Sequence, residues 1–207
     1  MKTPIPIYLA VEDDLSEWVA RRALLTRPAG YAIGAVYTHG GFGYLKKQTP
    51  AFNNAAKRCP FLMLTDLDRC SCPPQLIEEW LGRPKHPHLL LRVAVREVES
   101  WLLGDSKGFS SFLGLRTPFT LDDPEKLDDP KRELLKLAIK SPRRLIREAL
   151  TWKDEATGRL SQGPDYNAPL AKFVTNDWNI EVARKRCRSL DRLFLALERI
   201  ESEFAAK

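Results

Sequence analysis

Glu12, the pair Asp66 and Asp68, and the pair Glu97 and Glu99 are the residues of this chain best placed to do chemistry, because each follows directly on a short apolar run. Carboxylates gathered in one place repel one another, and the common remedy is a hard divalent cation held by oxygen ligands. In extended chain, residues two apart face the same side, so Asp66 and Asp68 can reach one cation together. Each acid also has a plainer reading as a helix cap or turn residue; Asp66-Leu67-Asp68 could be the turn that opens the next helix. Glu97 and Glu99 pose a choice. If a helix begins near Arg96, positions two apart point about 200° apart and only one can face a ligand. The chemistry this donor set suits is metal-assisted phosphodiester transfer, with cations stabilising the attacking and leaving oxygens. Magnesium or manganese is the expected cofactor, bound by Glu12, Asp66, Asp68 and one or both of Glu97 and Glu99.

The elements that must position these acids are short strands. Pro4 to Val11, Tyr31 to Thr38, Phe61 to Thr65 and Leu89 to Val95 are apolar almost throughout, as strands of a parallel sheet covered on both faces are. Helical spacing separates them. Leu15, Trp18, Val19, Ala23 and Leu24 follow a start at Asp13-Asp14, a second helix spans about Tyr44 to Lys57, and Pro73-Pro74 opens a third. The alternation predicts an α/β fold whose strand carboxyl ends share one edge, where ligands of such sheets bind. The glycine-rich stretch His39-Gly40-Gly41-Phe42-Gly43 is expected as a loop able to approach a ligand closely.

After residue 105 the strand signals stop, and the expected division is an α/β core over 1–105 and a helical extension over 106–207. Leu121-Asp122-Asp123-Pro124 and Leu127-Asp128-Asp129-Pro130 repeat one helix-start device, aspartate capping and proline in the first turn, and Ser141-Pro142 repeats it for a helix from Arg143 to Thr151. Residues 153–168 read as a mobile polar loop. A final helix is expected over about Ile180 to Phe204, with Arg184, Arg188 and Arg192 recurring every fourth residue as a basic stripe. With Lys131, these arginines are the candidates for nucleic-acid contact; the alternative is a solvated face.

The 207 residues are 43% apolar, enough for a sizeable core, and the net charge of +6 leans towards an anionic partner. Met1-Lys2-Thr3 leads straight into strand-like sequence, and no apolar run approaches the roughly 20 residues that cross a bilayer. A cytoplasmic protein without membrane association is expected. The four cysteines show no disulfide framework. Cys70 and Cys72 upstream of His86 and His88 could ligate zinc, but their spacing matches no common structural zinc module.

Val11-Glu12-Asp13-Asp14-Leu15-Ser16-Glu17, Asp66-Leu67-Asp68 and Val95-Arg96-Glu97-Val98-Glu99-Ser100-Trp101-Leu102-Leu103-Gly104-Asp105 together resemble the TOPRIM fold. More narrowly, with Asp129-Pro130-Lys131 and Ser189-Leu190-Asp191-Arg192-Leu193, they resemble a TOPRIM-like family often encoded beside ABC- or OLD-type ATPases in bacterial anti-phage defence loci. The resemblance spans most of the chain and implies a TOPRIM-like parallel sheet of about four strands with a helical C-terminal extension. It implies Glu12, Asp66 and Asp68 as the catalytic and magnesium-binding acids, adds Glu99, and implies an ATPase partner. Asp13 stands where TOPRIM proteins usually carry glycine. The chain has no Walker-type phosphate loop, serine elbow or catalytic Cys-His signature, so ATP hydrolysis would fall to the partner. Three readings follow: a metal-dependent nuclease acting in antiviral defence; a non-catalytic TOPRIM module that binds nucleic acid or the ATPase; and an acidic-site phosphatase or phosphotransferase using an aspartate nucleophile.

Overall fold

The computed structural model of the chain describes residues 3–38 and 40–206. Strands β1 (Ile5–Val11), β2 (Tyr31–Tyr37), β3 (Phe61–Asp66) and β4 (Leu89–Ala94) form one parallel sheet in the order β2-β1-β3-β4. Parallel neighbours need crossovers, supplied by α1 (Asp14–Leu25), α2 (Gly41–Ala55) and α3 (Pro73–Leu81). The fold is α/β with four parallel strands flanked by helices, as the apolar runs predict.

Side chains alternate across the sheet. Ala10, Phe61, Met63, Leu89 and Leu91 pack with Leu45, Phe52, Leu76 and Trp80 of α2 and α3. The intervening Ile7, Leu9, Val11, Leu62, Leu64 and Leu90 are also fully buried. That second face carries the C-terminal helix α10 (Arg188–Ala205), where Arg92 of β4 donates to the Arg192 carbonyl at 3.4 Å. Arg27 clamps Glu201 of α10 through Nε and Nη2, at 2.7 and 2.8 Å, and lies over the Phe194 ring.

Two compact units divide the chain: the described residues up to Val95 together with those from Ser189 onward, and Arg96–Arg188. The expected cut at residue 105 therefore does not mark where the units part. The end of the chain returns to the sheet because the apolar stripe of α10, with Leu190, Leu193, Phe194, Leu197 and Ile200 buried, covers it.

The second unit holds α4 (Glu99–Gly104), α5 (Ser106–Leu113), a 3-10 turn (Pro124–Lys126), α6 (Pro130–Ala138), α7 (Arg144–Leu150), β5 (Thr151–Lys153), β6 (Leu160–Gln162), α8 (Asn167–Lys172) running into a π-helical turn (Phe173–Asp177), and α9 (Ile180–Arg184). Both Asp-Asp-Pro starts are capped as predicted: Asp123 accepts from the Glu125 N–H and Asp129 from the Arg132 N–H. The first opens only a single 3-10 turn.

Three expectations are corrected. Strands do not stop at residue 105, because β5 and β6 pair as an antiparallel hairpin whose turn and second strand lie in the segment expected to be a mobile loop. Its turn is pinned by Asp154, whose carboxylate accepts from the Thr157 N–H and hydroxyl, and by Gly158 in a left-handed conformation at φ +68°. The glycine loop is shorter than expected, since α2 begins at Gly41 and Phe42 packs edge-on against Trp80 at 4.8 Å; His39 lies outside the described residues. The final helix is not continuous. It breaks over 185–187, where the Arg186 and Cys187 amides turn back onto the Ala183 carbonyl and bury Cys187 against Gly104.

Asp13 is the N-cap of α1, accepting from the Ser16 N–H at 2.8 Å. Asp13→Ala should therefore lower stability by about 1 kcal/mol and Asp13→Gly by only a few tenths, read as urea midpoints. An unchanged midpoint in Asp13→Ala would show that the cap contributes nothing.

Candidate functional site at the carboxyl edge of the sheet

Strand register brings the first two acidic positions together. β1 pairs with β3 with Val11 beside Leu64, so the next residues along, Glu12 and Thr65, are neighbours by construction. Glu12 Oε1 accepts the Asp66 backbone N–H at 3.1 Å and the hydroxyl of Thr65, a side chain fully shielded from solvent. Asp66 ends β3, and the Leu67 N–H continues the pairing to the Ala94 carbonyl of β4 at 2.9 Å.

Asp68 is not placed by strand alternation. Its φ of +48° is left-handed, a conformation uncommon outside glycine, so the extended-chain argument for Asp66 and Asp68 fails at that residue. Asp68 still acts on Glu12 through its charge. Burial pushes the Glu12 carboxyl above its ordinary pKa, the Thr65 and Asp66 hydrogen bonds pull it back, and the negative charges of Asp68 and Asp13 push it up further.

These donors suit a hard cation. They are oxygens only, and the crowding of like charge is what a cation relieves. Among the described residues no three His, Cys, Asp or Glu side chains are gathered closely enough to cage a metal by themselves. Magnesium is commonly held by one or two carboxylates, with water and substrate phosphate completing its shell. Glu12 and Asp66, with Asp68 nearby in charge, fit that pattern. The residues of the zinc alternative are otherwise placed: His86 Nδ1 accepts from the His88 N–H, and His88 Nε2 lies 3.0 Å from Glu203 of α10.

Glu97 and Glu99 belong to the second unit and attend to one residue, Lys131 at the start of α6. Glu97 precedes α4 and accepts the Lys131 backbone N–H at 2.9 Å, whereas Glu99 opens α4 and lies 3.5 Å from Lys131 Nζ. The helix starts later than Arg96, so the expected choice between the two glutamates does not arise. Glu99 is buried; its Oε1 accepts the Tyr166 hydroxyl at 3.0 Å and its Oε2 has no hydrogen-bond partner among the described residues. Burial raises its pKa to about 7, with Lys131 opposing and Glu97 adding to the rise.

Of the basic candidates, Lys131 is tied to Glu99, and Arg184 reaches Glu181 at 4.0 Å within α9. The break at 185–187 means that Arg184 and Arg188 do not share one helix, so the basic stripe is not continuous; Arg192 is exposed on α10. Sequence reasoning missed Thr65 and Tyr166. Thr65 was hidden in an apolar run, and Tyr166 offered only the signal of one aromatic in a polar segment.

No family model and no curated protein matches the chain. Among solved structures it is similar to the C-terminal region of the Burkholderia pseudomallei OLD protein, at 17% identity and a TM-score of 0.44, over 92% of this chain and 97% of that one. No helix among the described residues is long and apolar enough to cross a membrane.

Glu12 and Glu99 each hold a proton more tightly in the folded state than in the unfolded chain. Between the unfolded value near 4.5 and the raised folded value, the native state binds the extra proton, so stability falls as pH rises through that window. For Glu99 the window runs from 4.5 to about 7. Glu99→Gln should flatten stability across it and gain on the order of 3 kcal/mol at pH 8. Glu12→Gln should gain in the same direction by less. Urea unfolding at pH 5 and pH 8 measures both, and a Glu99→Gln protein that loses stability at pH 8 would contradict the assignment.

Proposed function

We propose that this chain is a TOPRIM-like, metal-dependent nuclease that cleaves phosphodiester bonds of DNA or RNA. The observation that carries the reading is the half-buried Glu12 carboxylate, hydrogen-bonded to the end of the neighbouring strand and crowded by Asp68 and Asp13. Keeping a partly desolvated acid crowded by like charge at the carboxyl edge of a parallel sheet disfavours the fold, and such a cost is characteristic of a functional site. The motifs Glu12-Asp13-Asp14 and Asp66-Leu67-Asp68 supply the resemblance to TOPRIM enzymes.

In this reading Glu12, Asp66 and Asp68 hold magnesium or manganese, and Thr65 orients Glu12 through its hydroxyl. When bound, the cation supplies charge stabilisation for the attacking and leaving oxygens of the phosphodiester. The resemblance adds Glu99, and a carboxyl with a pKa of about 7 suits a group that exchanges a proton during reaction; Glu97 stays a candidate metal ligand by its position two residues before it. Asp13 is occupied in capping α1, so the departure from the usual glycine adds negative charge rather than a dedicated ligand. The protein would act in the cytoplasm as the effector of an ATPase-linked anti-phage system, an ABC- or OLD-type ATPase hydrolysing the ATP.

Plasmid, single-stranded DNA and RNA, incubated with magnesium or manganese and with chelator, test the activity with and without an ATPase encoded beside it. Glu12→Gln and Asp66→Asn should each reduce metal-dependent cleavage by more than about 100-fold, beyond the usual effect of losing an outer-shell partner. Cleavage that survives both substitutions would place the chemistry elsewhere.

Thr65→Val keeps the buried volume but removes the hydroxyl that donates to Glu12. It should reduce both manganese affinity, measured by calorimetry, and cleavage by about 10- to 100-fold. Lost cleavage with unaltered metal affinity would separate Thr65 from the metal-binding acid.

A further inference from the structure

A cavity of about 590 Å³ lies in the second unit between α6 and the β5–β6 hairpin, and four cationic side chains line it. Lys131, Arg132 and Lys136 come from α6, and Arg159 from the end of the hairpin turn. Its single lining carboxylate, Asp129, is spent on the Arg132 N–H at 2.7 Å. Lys131 shares its charge with Glu99 and Lys136 with Glu133. Arg132 and Arg159 are exposed and pair with no carboxylate among the described residues. The cavity thus carries surplus positive charge on side chains from two elements.

Its length indicates what that charge meets. Lys131 and Lys136 are five residues apart, about 7.5 Å along the helix axis. Over such a distance one nucleic-acid strand carries about two phosphates. Leu135 and Leu160 add apolar wall between the cations. Beside the cavity stands Trp152, which is 54% exposed although it is among the largest apolar side chains. Trp152 pairs directly with Ser161, a cavity-lining residue, and directly opposed residues of an antiparallel pair project from the same face. An exposed indole beside a phosphate-sized row of cations is the arrangement by which proteins hold single strands, since a base stacks on the ring only when it is free of its own duplex.

We propose that this cavity and Trp152 bind single-stranded nucleic acid, with Arg132, Arg159 and Lys136 on backbone phosphates and Trp152 stacked on a base. The proposal deepens the nuclease reading by naming the form of its substrate.

The test is equilibrium binding of labelled oligonucleotides to the full chain in chelator, where no cleavage enters the measurement. Replacing Arg132 and Arg159 together by alanine should weaken single-strand binding at least tenfold and reduce the salt slope by about 1.4, two phosphate contacts' worth. Trp152→Ala should weaken single-strand binding about 5- to 100-fold, leave a blunt duplex within twofold, and be rescued by Trp152→Phe, which keeps a stacking face. Unchanged affinity and slope in the double arginine variant would overturn the site, as would failure of the unaltered protein to bind single strands. Equal loss of duplex and single-strand binding in Trp152→Ala would overturn the stacking role. Displacement of the oligonucleotide by inorganic phosphate at matched ionic strength would show a small-anion site instead. Absence of metal-dependent cleavage of any nucleic acid while this binding pattern holds overturns the nuclease reading alone, and cleavage that survives Glu12→Gln and Asp66→Asn moves only its catalytic site.

Discussion

The pairing of β1 with β3 is the constraint on which the candidate site depends. Because Val11 lies beside Leu64 in parallel register, both strands end nearly flush and the residues that follow them become neighbours. A shift of one residue would turn the Glu12 side chain to the other face and break its bonds to Thr65 and the Asp66 amide. The register is held in turn by burial on both faces, since Leu9, Ala10, Val11, Leu62, Met63 and Leu64 are all fully enclosed. The hydrophobic packing of the sheet thus sets the position of a carboxylate that the packing itself disfavours.

Glu12, half-buried, and Glu99, fully buried, share one physical predicament and meet it differently. Glu12 is desolvated and crowded by like charge, with two hydrogen bonds that favour its ionised form. Glu99 is more deeply buried but has Lys131 and the Tyr166 hydroxyl beside one oxygen. Charge is expensive to bury, and an apolar residue in either place would serve stability better.

The start of α6 organises the second unit. Asp129 caps the Arg132 amide, Glu97 takes the Lys131 amide, and Glu99 takes the Lys131 ammonium. Free amides at a helix start attract carboxylates, so one local need draws Asp129 and Glu97 from two segments to the same turn, while Glu99 answers the Lys131 side chain. The β5–β6 hairpin, held by Asp154 and Gly158, then presents Arg159 and Leu160 to the cavity that α6 also lines.

The sequence by itself determined the elements and their caps. Short apolar runs gave the four parallel strands, Asp13 and Asp129 marked helix starts, and the acids that follow the strands were legible because strand ends are a local signal. Only the tertiary structure decided which groups meet. Thr65 became the donor to Glu12 through pairing between strands 53 residues apart in sequence. Tyr166 reached Glu99 from a segment that reads as loop. The helix break at 185–187 contains neither glycine nor proline and follows from burying Cys187. Asp68 departed from strand alternation by one backbone angle that no residue pattern encodes. Propensity, periodicity and capping act within a few residues and are written locally, whereas register, burial and partner choice are settled by contacts between segments far apart in the chain.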